Sequence, residues 1–492
     1  MKYFIGADLG TSSLKLLLTD SKGKILNSIS KTYEVDYPKP GWSEQQPKDW
    51  WQALKLGAKE LIAGINPEEV QGIGVAGQMH GLVILDENDE VLRPAILWND
   101  GRTFKETEYL NNVIGKKKLS DLTGNIAFAG FTAPKILWMR DNEPEKFKEI
   151  SKIMLPKDYI NYKLTGIHAT DYSDASGMLL LDVKNKCWSK EMLEICGISE
   201  KQMPKLFESF EIIGNILPDV AEELGLLKTT IVVAGAGDNA GAAIGTATVG
   251  DGKCNISLGT SGTIFMSANR FLVDENNSLH AFCHSDGGYH LMGCMLSAAS
   301  CNKWFCDEIL KTDNYIEEQT KIDEKMLGNN HVYFLPYLMG ERSPINDTDA
   351  RGLFIGMRPD TKREDMIQAV LEGVAFAIRD SFEIAKNLGI NIEKSTLCGG
   401  GAKSGLWRRI LCNVLGIEIE IPACEEGPAL GAAMLSMVAC KEYESVDECA
   451  KALIKKDETI KPVDKLSERY NKQYEKFKNI YPAVKDLYKK LI

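Results

Sequence analysis

The tetrapeptide Leu-Gly-Thr-Ser occurs twice, at residues 9–12 and 258–261, about half the chain apart. Each copy interrupts a short apolar run that then resumes. Phe4-Ile5-Gly6-Ala7-Asp8 leads into the first copy and residues 14–18 follow it, while Lys253-Cys254-Asn255-Ile256-Ser257 leads into the second and residues 263–266 follow. A glycine-bearing turn between two apolar runs is the pattern of a β-hairpin. Two hairpins of one design imply two lobes of similar core with a boundary near residue 245, an N-terminal unit over 1–245 and a C-terminal unit over 246–492. A chain of 492 residues is too long for a single core, so its length agrees.

Between and beyond the hairpins, strand-like and helix-like segments alternate. Residues 70–75 and 81–85 read as strands, whereas 48–65 place Trp51, Leu54, Ala58, Leu61, Ile62 and Ile65 on one helical face. The alternation continues through 231–233, 365–388, 396–398 and 428–439. It predicts an α/β fold of mixed sheets flanked by helices. At the end of the chain Tyr470, Tyr474, Phe477, Tyr481, Val484, Tyr488 and Leu491 recur at spacings of three and four. They predict one amphipathic helix packed on the second lobe, away from the chemistry.

A net charge of -11 excludes nucleic acid or an anionic membrane as the main partner, because both need a broad basic surface. An anionic ligand has to be captured by local features. The twelve cysteines contain no C-x-x-C pair, so they read as small buried residues of a reduced protein. No window reaches the roughly 18 apolar residues of a membrane helix, and the N-terminus runs directly into the glycine motif without a leader. The expected location is the cytoplasm.

A Gly-Thr-Ser turn leaves backbone N–H groups and hydroxyls close together, a set that suits phosphate oxygens. Alone, such a turn is simply a hairpin connection; two on facing lobes can grip one nucleotide from both sides. The copies differ two residues before the glycine, where the first has Asp8 and the second Ser257. A carboxylate beside phosphates needs an intervening cation, so Asp8 is either a Mg²⁺ ligand, direct or through water, or an ordinary strand-end aspartate. Asp238, in Ala-Gly-Ala-Gly-Asp-Asn-Ala-Gly, follows a short apolar strand. It can cap the next helix, or it can stand unshielded at the carboxyl end of a strand and take a proton from a substrate hydroxyl. Asn239 could then bind a second hydroxyl. The loop Gly77-Gln78-Met79-His80-Gly81 presents Met79 and His80 either to a ligand or to the core. In 399–405 three consecutive glycines let backbone approach a flat or anionic ligand, and 426–431 repeats the theme, with Pro428 equally suited to starting a helix.

Together these segments resemble the FGGY carbohydrate kinase family of the actin-like ATPase superfamily. The similarity runs nearly end to end, through I-G-A-D-L-G-T-S at 5–12, W-S-E-Q at 42–45, G-Q-M-H-G at 77–81, R-P-A-I-L-W-N-D-G-R at 93–102 and L-P-K-D-Y at 155–159. It continues through G-D-N-A at 237–240, S-L-G-T-S-G at 257–262, F-L-P-Y-L-M-G-E-R at 334–342 and G-G-G-A-K-S at 399–404, while 130–142 and 352–372 fit the two family signatures. The resemblance implies two actin-like (ribonuclease H-like) lobes with a cleft between them, ATP and Mg²⁺ as cofactors, and phosphorylation of D-xylulose at O5. It implies Asp238 as catalytic base, Asp8 as the carboxylate for the metal and phosphates, and Met79, His80, Asp238 and Asn239 around the ketopentose. It also implies Thr11, Ser12 and Ser13 in the first phosphate loop, Thr260 in the second, and Gly400, Gly401 and Gly405 near the adenosine. Residues 297–302 approach the nucleotide in relatives without an individual assignment, and relatives are commonly homodimers. Ala236 and Ser343 depart from common family residues, Gly and Thr, without touching a proposed catalytic atom. Other readings are a kinase for ribulose, glycerol or gluconate, an actin-like ATPase switch, or a sugar-sensing protein without catalysis; the Met79-His80 loop, the presence of Asp8 and Asp238, and ketose-dependent ATP turnover discriminate among them.

Overall fold

A computed structural model describes residues 1–424 and 426–491. Residues 3–9 and 70–77 are apolar or glycine at almost every position, so both faces of these strands can be buried, and they form the centre of a seven-stranded sheet. Its strands are β1 (Tyr3–Leu9), β2 (Ser13–Asp20), β3 (Ile25–Thr32), β4 (Val70–Gly77), β5 (Ile212–Asn215), β6 (Ile231–Val233) and β7 (Ala236–Gly237). They lie in the order β5-β6-β4-β1-β2-β3, with β7 pairing further along β4. The β1-β2-β3 meander is antiparallel, β4 and β6 run parallel to β1, and β5 closes that edge antiparallel.

The second sheet repeats this plan. Its strands are β8 (Cys254–Leu258), β9 (Gly262–Ala268), β10 (His280–Cys283), β11 (Tyr289–Met295), β12 (Lys394–Cys398), β13 (Glu418–Pro422) and β14 (Lys456–Ile460), in the order β10-β11-β9-β8-β12-β13-β14. The β8-β9-β11 meander is antiparallel, β12 and β13 run parallel to β8, and β14 is an antiparallel edge. Only β10 is extra. The two Leu-Gly-Thr-Ser turns therefore occupy equivalent places, the tips of hairpins β1-β2 and β8-β9, in two sheets of matching topology.

On one face of the first sheet pack α1 (Pro47–Leu61), α2 (Pro156–Thr165) and α3 (Pro218–Leu224). Against its other face lies α4 (Asp238–Gly245). The second sheet is covered by α5 (Arg363–Asn387) and α6 (Gly405–Leu415). A later helix, α7 (Gly427–Ala439), does not stay with the sheet that precedes it in sequence; it lies beside α4 on the first sheet. Its sequence, Gly-Pro-Ala-Leu-Gly-Ala-Ala-Met-Leu-Ser-Met-Val-Ala, is small enough for backbone to meet backbone. A Cβ on Gly6 would lie 1.9 Å from the Ala429 carbonyl oxygen, one on Gly74 2.0 Å from that of Ala432, and one on Gly431 2.0 Å from that of Gly241.

Three expectations from sequence need correction. Helix α1 stops at Leu61 rather than continuing to 65, because Gly64 takes a φ of +80° and Pro67 opens the next turn. Its core tryptophan is Trp50, fully buried with its indole N–H donating to Gln45 Oε1 at 3.1 Å, while Trp51 is only half-buried. The C-terminal stripe is two helices, α8 (Asp464–Phe477) and α9 (Ile480–Leu491), not one. Pro482 explains the break: within a continuous helix its ring would meet the carbonyl of residue 478, whereas in the first turn of a new helix it is tolerated. Tyr470, Tyr474, Phe477 and Tyr488 are buried in the core of the second sheet, but Leu491 is exposed. Cys187 is likewise exposed, unlike the buried cysteines at 196, 254, 283, 301, 306, 412 and 449. Among the described residues no helix is long and apolar enough to cross a membrane.

The contact between α4 and α7 yields a direct test. Gly431→Ala is expected to cost about 1–3 kcal/mol of stability, as overpacking does, and to lower the thermal unfolding midpoint. Gly405→Ala, whose added Cβ finds nothing closer than 4.0 Å, is expected to leave the midpoint unchanged.

Candidate active site

Four sequence motifs converge at the tip of the first hairpin. The turn at 10–13 is closed by the Gly10 N–H donating to the Ser13 carbonyl at 3.0 Å. Thr11 Oγ1 donates to Gln78 Oε1 at 3.2 Å and accepts from Trp98 Nε1 at 3.0 Å, and the Thr11 carbonyl accepts from Gln45 Nε2 at 2.7 Å. Gln78 in turn donates to Gln45 Oε1 at 3.1 Å, which also receives the Trp50 indole. The Thr11 hydroxyl is thus held by protein. Among the described residues the amides of Thr11 and Ser12 have no protein acceptor, so the groups this turn offers an anion are chiefly backbone N–H.

Strand register brings two carboxylates to one end of the first sheet. Asp8 pairs across β1-β4 with Ala76, and Ala76 pairs across β4-β7 with Ala236, two residues before Asp238. Asp8 and Asp238 therefore stand at the same end of the sheet, with Ala236, two residues before Asp238, two strand spacings or about 10 Å from Asp8. Burial pushes the Asp8 carboxyl up to about 7, with Asp238 adding to the rise and Lys15, ion-paired to Glu426, opposing it. Burial likewise raises Asp238 to about 6, against hydrogen bonds from Asn239. Both of those bonds, from Asn239 N at 2.7 Å and Nδ2 at 2.9 Å, go to Asp238 Oδ1. Oδ2 is left for a ligand. Asp238 is the first residue of α4 and Gly237 its cap, so the simple capping role is not the one the side chain fills.

The backbone leading to Asp238 is braced from behind. Gly237 N donates to Ser173 Oγ at 3.1 Å, and Ser173 Oγ donates to Asp171 at 2.5 Å. Lys157, fully buried, donates to Asp158 at 2.7 Å and to the Ala234 carbonyl at 3.3 Å, and lies 3.0 Å from Asp171. One buried cation thus serves three buried carboxyls, Asp158, Asp171 and Asp174, and burial drives Asp174 well above the ordinary carboxylate range.

His80 adopts a left-handed φ of +68°, a conformation that costs a non-glycine residue energy and is held here by its surroundings. Its carbonyl accepts from Thr132 Oγ1 at 3.1 Å and from the buried Lys135 Nζ at 2.8 Å. Its Nδ1 is 2.7 Å from the Gly177 carbonyl oxygen, which can only accept, so Nδ1 carries the proton. Burial pulls the ring down to about 3, and it stacks on Phe131 at 4.7 Å. A neutral imidazole in this tautomer offers Nε2 as an acceptor.

Two cavities adjoin along Thr260. One, of about 470 Å³, is lined from the first half by Met79, His80, Asp238 and Asn239, and from the second by Thr260 to Thr263 and Arg342. The other, of about 460 Å³, is lined by Gly259, Thr260, Asn302, Gln319, Gly400 and Gly401. Of the residues expected from sequence, Met79, His80, Asp238, Asn239 and Thr260 meet in the first cavity, and Gly400 and Gly401 reach the second. Asp8, Thr11, Ser12 and Ser13 line neither, and Gly405 borders a neighbouring hollow beyond Ser404. The structure adds Trp98, Phe131, His280 and Arg342 to the first cavity and Tyr315, Gln319 and Trp407 to the second. Trp98, Phe131 and Arg342 fall in segments already singled out; an aromatic or arginine in a motif does not reveal which way it faces. No spacing signal marks His280, Tyr315 or Gln319.

Comparison with known proteins agrees over almost the whole chain. The family model of the N-terminal domain of the FGGY family of carbohydrate kinases matches residues 3–245, and that of the C-terminal domain matches residues 254–440. The chain is 40% identical to the xylulose kinase of Escherichia coli (strain K12) over 482 residues, covering 97% of this chain and 98% of that one. The crystal structure of a xyloylose kinase from Brucella ovis superposes with a TM-score of 0.94 at 39% identity, covering 99% and 100%. A gluconate kinase from Lactobacillus acidophilus reaches the same TM-score at 27% identity, covering 100% of both chains, so the backbone alone does not distinguish these substrates.

The raised Asp238 carboxyl has a consequence for stability. The unfolded chain ionises this group near 3.8 and the fold near 6, so folding binds protons and stability falls as pH rises across that window. Asp238→Asn is expected to be more stable than the wild type by about 1–3 kcal/mol at pH 8, the gap closing as pH approaches 4, in denaturant unfolding followed by circular dichroism. A pH-independent gap would contradict the assignment.

Proposed function

The chain belongs to the FGGY family of carbohydrate kinases, and from that premise we propose that it phosphorylates D-xylulose with ATP, giving D-xylulose 5-phosphate and ADP. The observation that carries this reading is the shared wall at Thr260. A polyol-sized cavity holding the Met79-His80 loop and Asp238 opens against the same turn that borders the glycine-lined cavity. A sugar hydroxyl in the first and a γ-phosphate of a nucleotide in the second would meet there. The high identity to xylulose kinases over nearly full length supports the choice of ketopentose, and the His80 Nε2 acceptor, Asn239 and Asp238 supply hydrogen-bond partners suited to its hydroxyls.

In this reading the sugar binds against Met79, His80, Asp238 and Asn239 with its terminal O5 toward Asp238 Oδ2. Asp238 takes the proton of that hydroxyl as the oxygen attacks the γ-phosphorus, and Asn239 keeps Oδ1 occupied so that Oδ2 faces the reacting atom. The amides of Thr11 and Ser12, without a protein acceptor among the described residues, and the turn at Thr260 would bind phosphate oxygens, and Gly400 and Gly401 would let the adenosine approach the backbone closely. Asp8 fits a hard divalent cation: its side chain is half-buried, accepts no hydrogen bond among the described residues, and is held above the ordinary carboxylate range by desolvation and by Asp238, with only Lys15 opposing. No cluster of three ligating side chains accompanies it among the described residues, as expected where Mg²⁺ is shared with substrate phosphates and water. When bound there, Mg²⁺ would supply positive charge against the phosphate oxygens.

A coupled ADP-release assay over D-xylulose, ribulose, glycerol and gluconate tests the reading. D-xylulose is expected to give the highest kcat/KM, with ADP release dependent on the sugar. Asp238→Asn is expected to lower kcat by on the order of 10²–10⁴. In the wild type kcat/KM should fall below about pH 6 as Asp238 takes up a proton. Stronger turnover of another acceptor, or undiminished turnover in the variant, would reject the substrate or the base respectively.

A further inference from the structure

Met292, Cys294, Met295, Leu296 and His280 line the sugar-sized cavity without entering the sequence motifs or the proposed mechanism, and of these His280 has the chemistry best suited to a hydroxyl. It opens β10, the extra edge strand of the second sheet. That edge is not free: Asn125 of the first half donates to the Ala281 carbonyl at 2.9 Å and accepts from the Ala281 N–H at 3.1 Å, as a neighbouring strand would, and the Cys283 N–H donates to Ser176 Oγ at 3.0 Å. The strand is thereby fixed against the half that carries His80 and Asp238. Its first side chain becomes part of their cavity.

His280 is 2% exposed and its ring is set in an aromatic frame, stacked on Phe282 at 5.4 Å, edge-on to Phe128 at 5.0 Å and 5.5 Å from Phe131, which also stacks on His80. Arg342 lies over Phe128 at 5.2 Å and lines the same cavity. Burial and the Arg342 charge both hold the imidazole well below its ordinary range, so it is neutral. A neutral imidazole has one donor and one acceptor nitrogen, which complements a hydroxyl, itself donor and acceptor. Among the described residues His280 Nε2 finds no hydrogen-bond partner. In a frame of phenylalanines that is a cost a further phenylalanine would avoid.

We propose that His280 is a specificity-determining residue, binding a hydroxyl of the ketopentose and thereby discriminating among acceptors; the inference rests on the cavity being the sugar site. His290 provides an internal control. It too is a buried histidine, and it stacks on Phe265 at 3.9 Å, but it does not line the cavity.

The test is steady-state kinetics at saturating ATP with D-xylulose and its 3-deoxy and 4-deoxy analogues, on the wild type, His280→Phe, His280→Gln and His290→Phe. His280→Phe is expected to raise KM for D-xylulose by about tenfold or more with kcat changed far less, and with KM for ATP unmoved. One deoxy analogue should carry that penalty in the wild type and no further penalty in His280→Phe. His280→Gln, which keeps a donor and an acceptor, should recover part of the loss, and His290→Phe should leave the sugar KM unchanged. The proposal is overturned if folded His280→Phe, or His280→Gln where the phenylalanine variant does not fold, keeps the wild-type KM and the wild-type ratios among the three sugars. Failure of the wild type to phosphorylate D-xylulose would instead overturn the functional reading beneath it, a result visible before any variant is made.

Discussion

The backbone of helix 427–439 lies directly on the glycines of strands 3–9 and 70–77 and on helix 238–245, and much of the molecule depends on that seat. At Gly6, Gly74 and Gly431 a single added carbon would sit within about 2 Å of a carbonyl oxygen. Contacts so short exist only where both surfaces lack side chains. They carry a helix that follows strand 418–422 of the second sheet onto the face of the first, so the two sheets share a core containing Phe4, Ala240, Ile244, Phe265, Ala433 and Met434. The same seat holds helix 238–245 against the first sheet and therefore sets where its first residue, Asp238, stands.

Around that frame the charged groups are arranged at a cost. Asp8 and Asp238 are half-buried at the same end of the first sheet, and both are displaced toward neutrality. Behind them Lys157 alone serves three buried carboxyls while also holding the Ala234 carbonyl. A core selected for stability would avoid this, since unsatisfied buried carboxyls penalise the folded state. Where a cation and a phosphorylated ligand are to bind, the same deficit becomes attraction. The strained backbone at His80, held by Lys135 and Thr132, follows the same rule: energy from packing elsewhere sustains a geometry that presents an imidazole acceptor.

The duplicated architecture was legible because a Gly-Thr-Ser turn between apolar runs is a local pattern, and the two hairpins do occupy equivalent places in two sheets of matching topology. The central strands were legible for the same reason, their apolar and glycine runs leaving no solvent face. Helix 47–61 was read four residues too long and on the wrong tryptophan, because periodicity cannot register a glycine's φ or the hydrogen bond to Gln45 that turns Trp50 inward. The continuous stripe from Tyr470 to Tyr488 concealed a break at Pro482, since two helices packed on one surface keep the same spacing.

In the candidate site, the backbone positions legible from motif were those set by local structure: Asp8 and Asp238 at strand ends, Met79 and His80 in a glycine-bracketed loop, Thr260 and Gly400 in turns. Local sequence determines such positions because strand, turn and helix start are themselves local. Sequence could not show that the Thr11 hydroxyl is consumed by Gln78 and Trp98, that Asp238 begins rather than caps its helix, or that His280 reaches a cavity built mainly by the other half of the chain. Those facts depend on which surfaces are pressed together across more than a hundred residues. Only the packing of the two sheets through helix 427–439 and the edge strand 280–283 decides them.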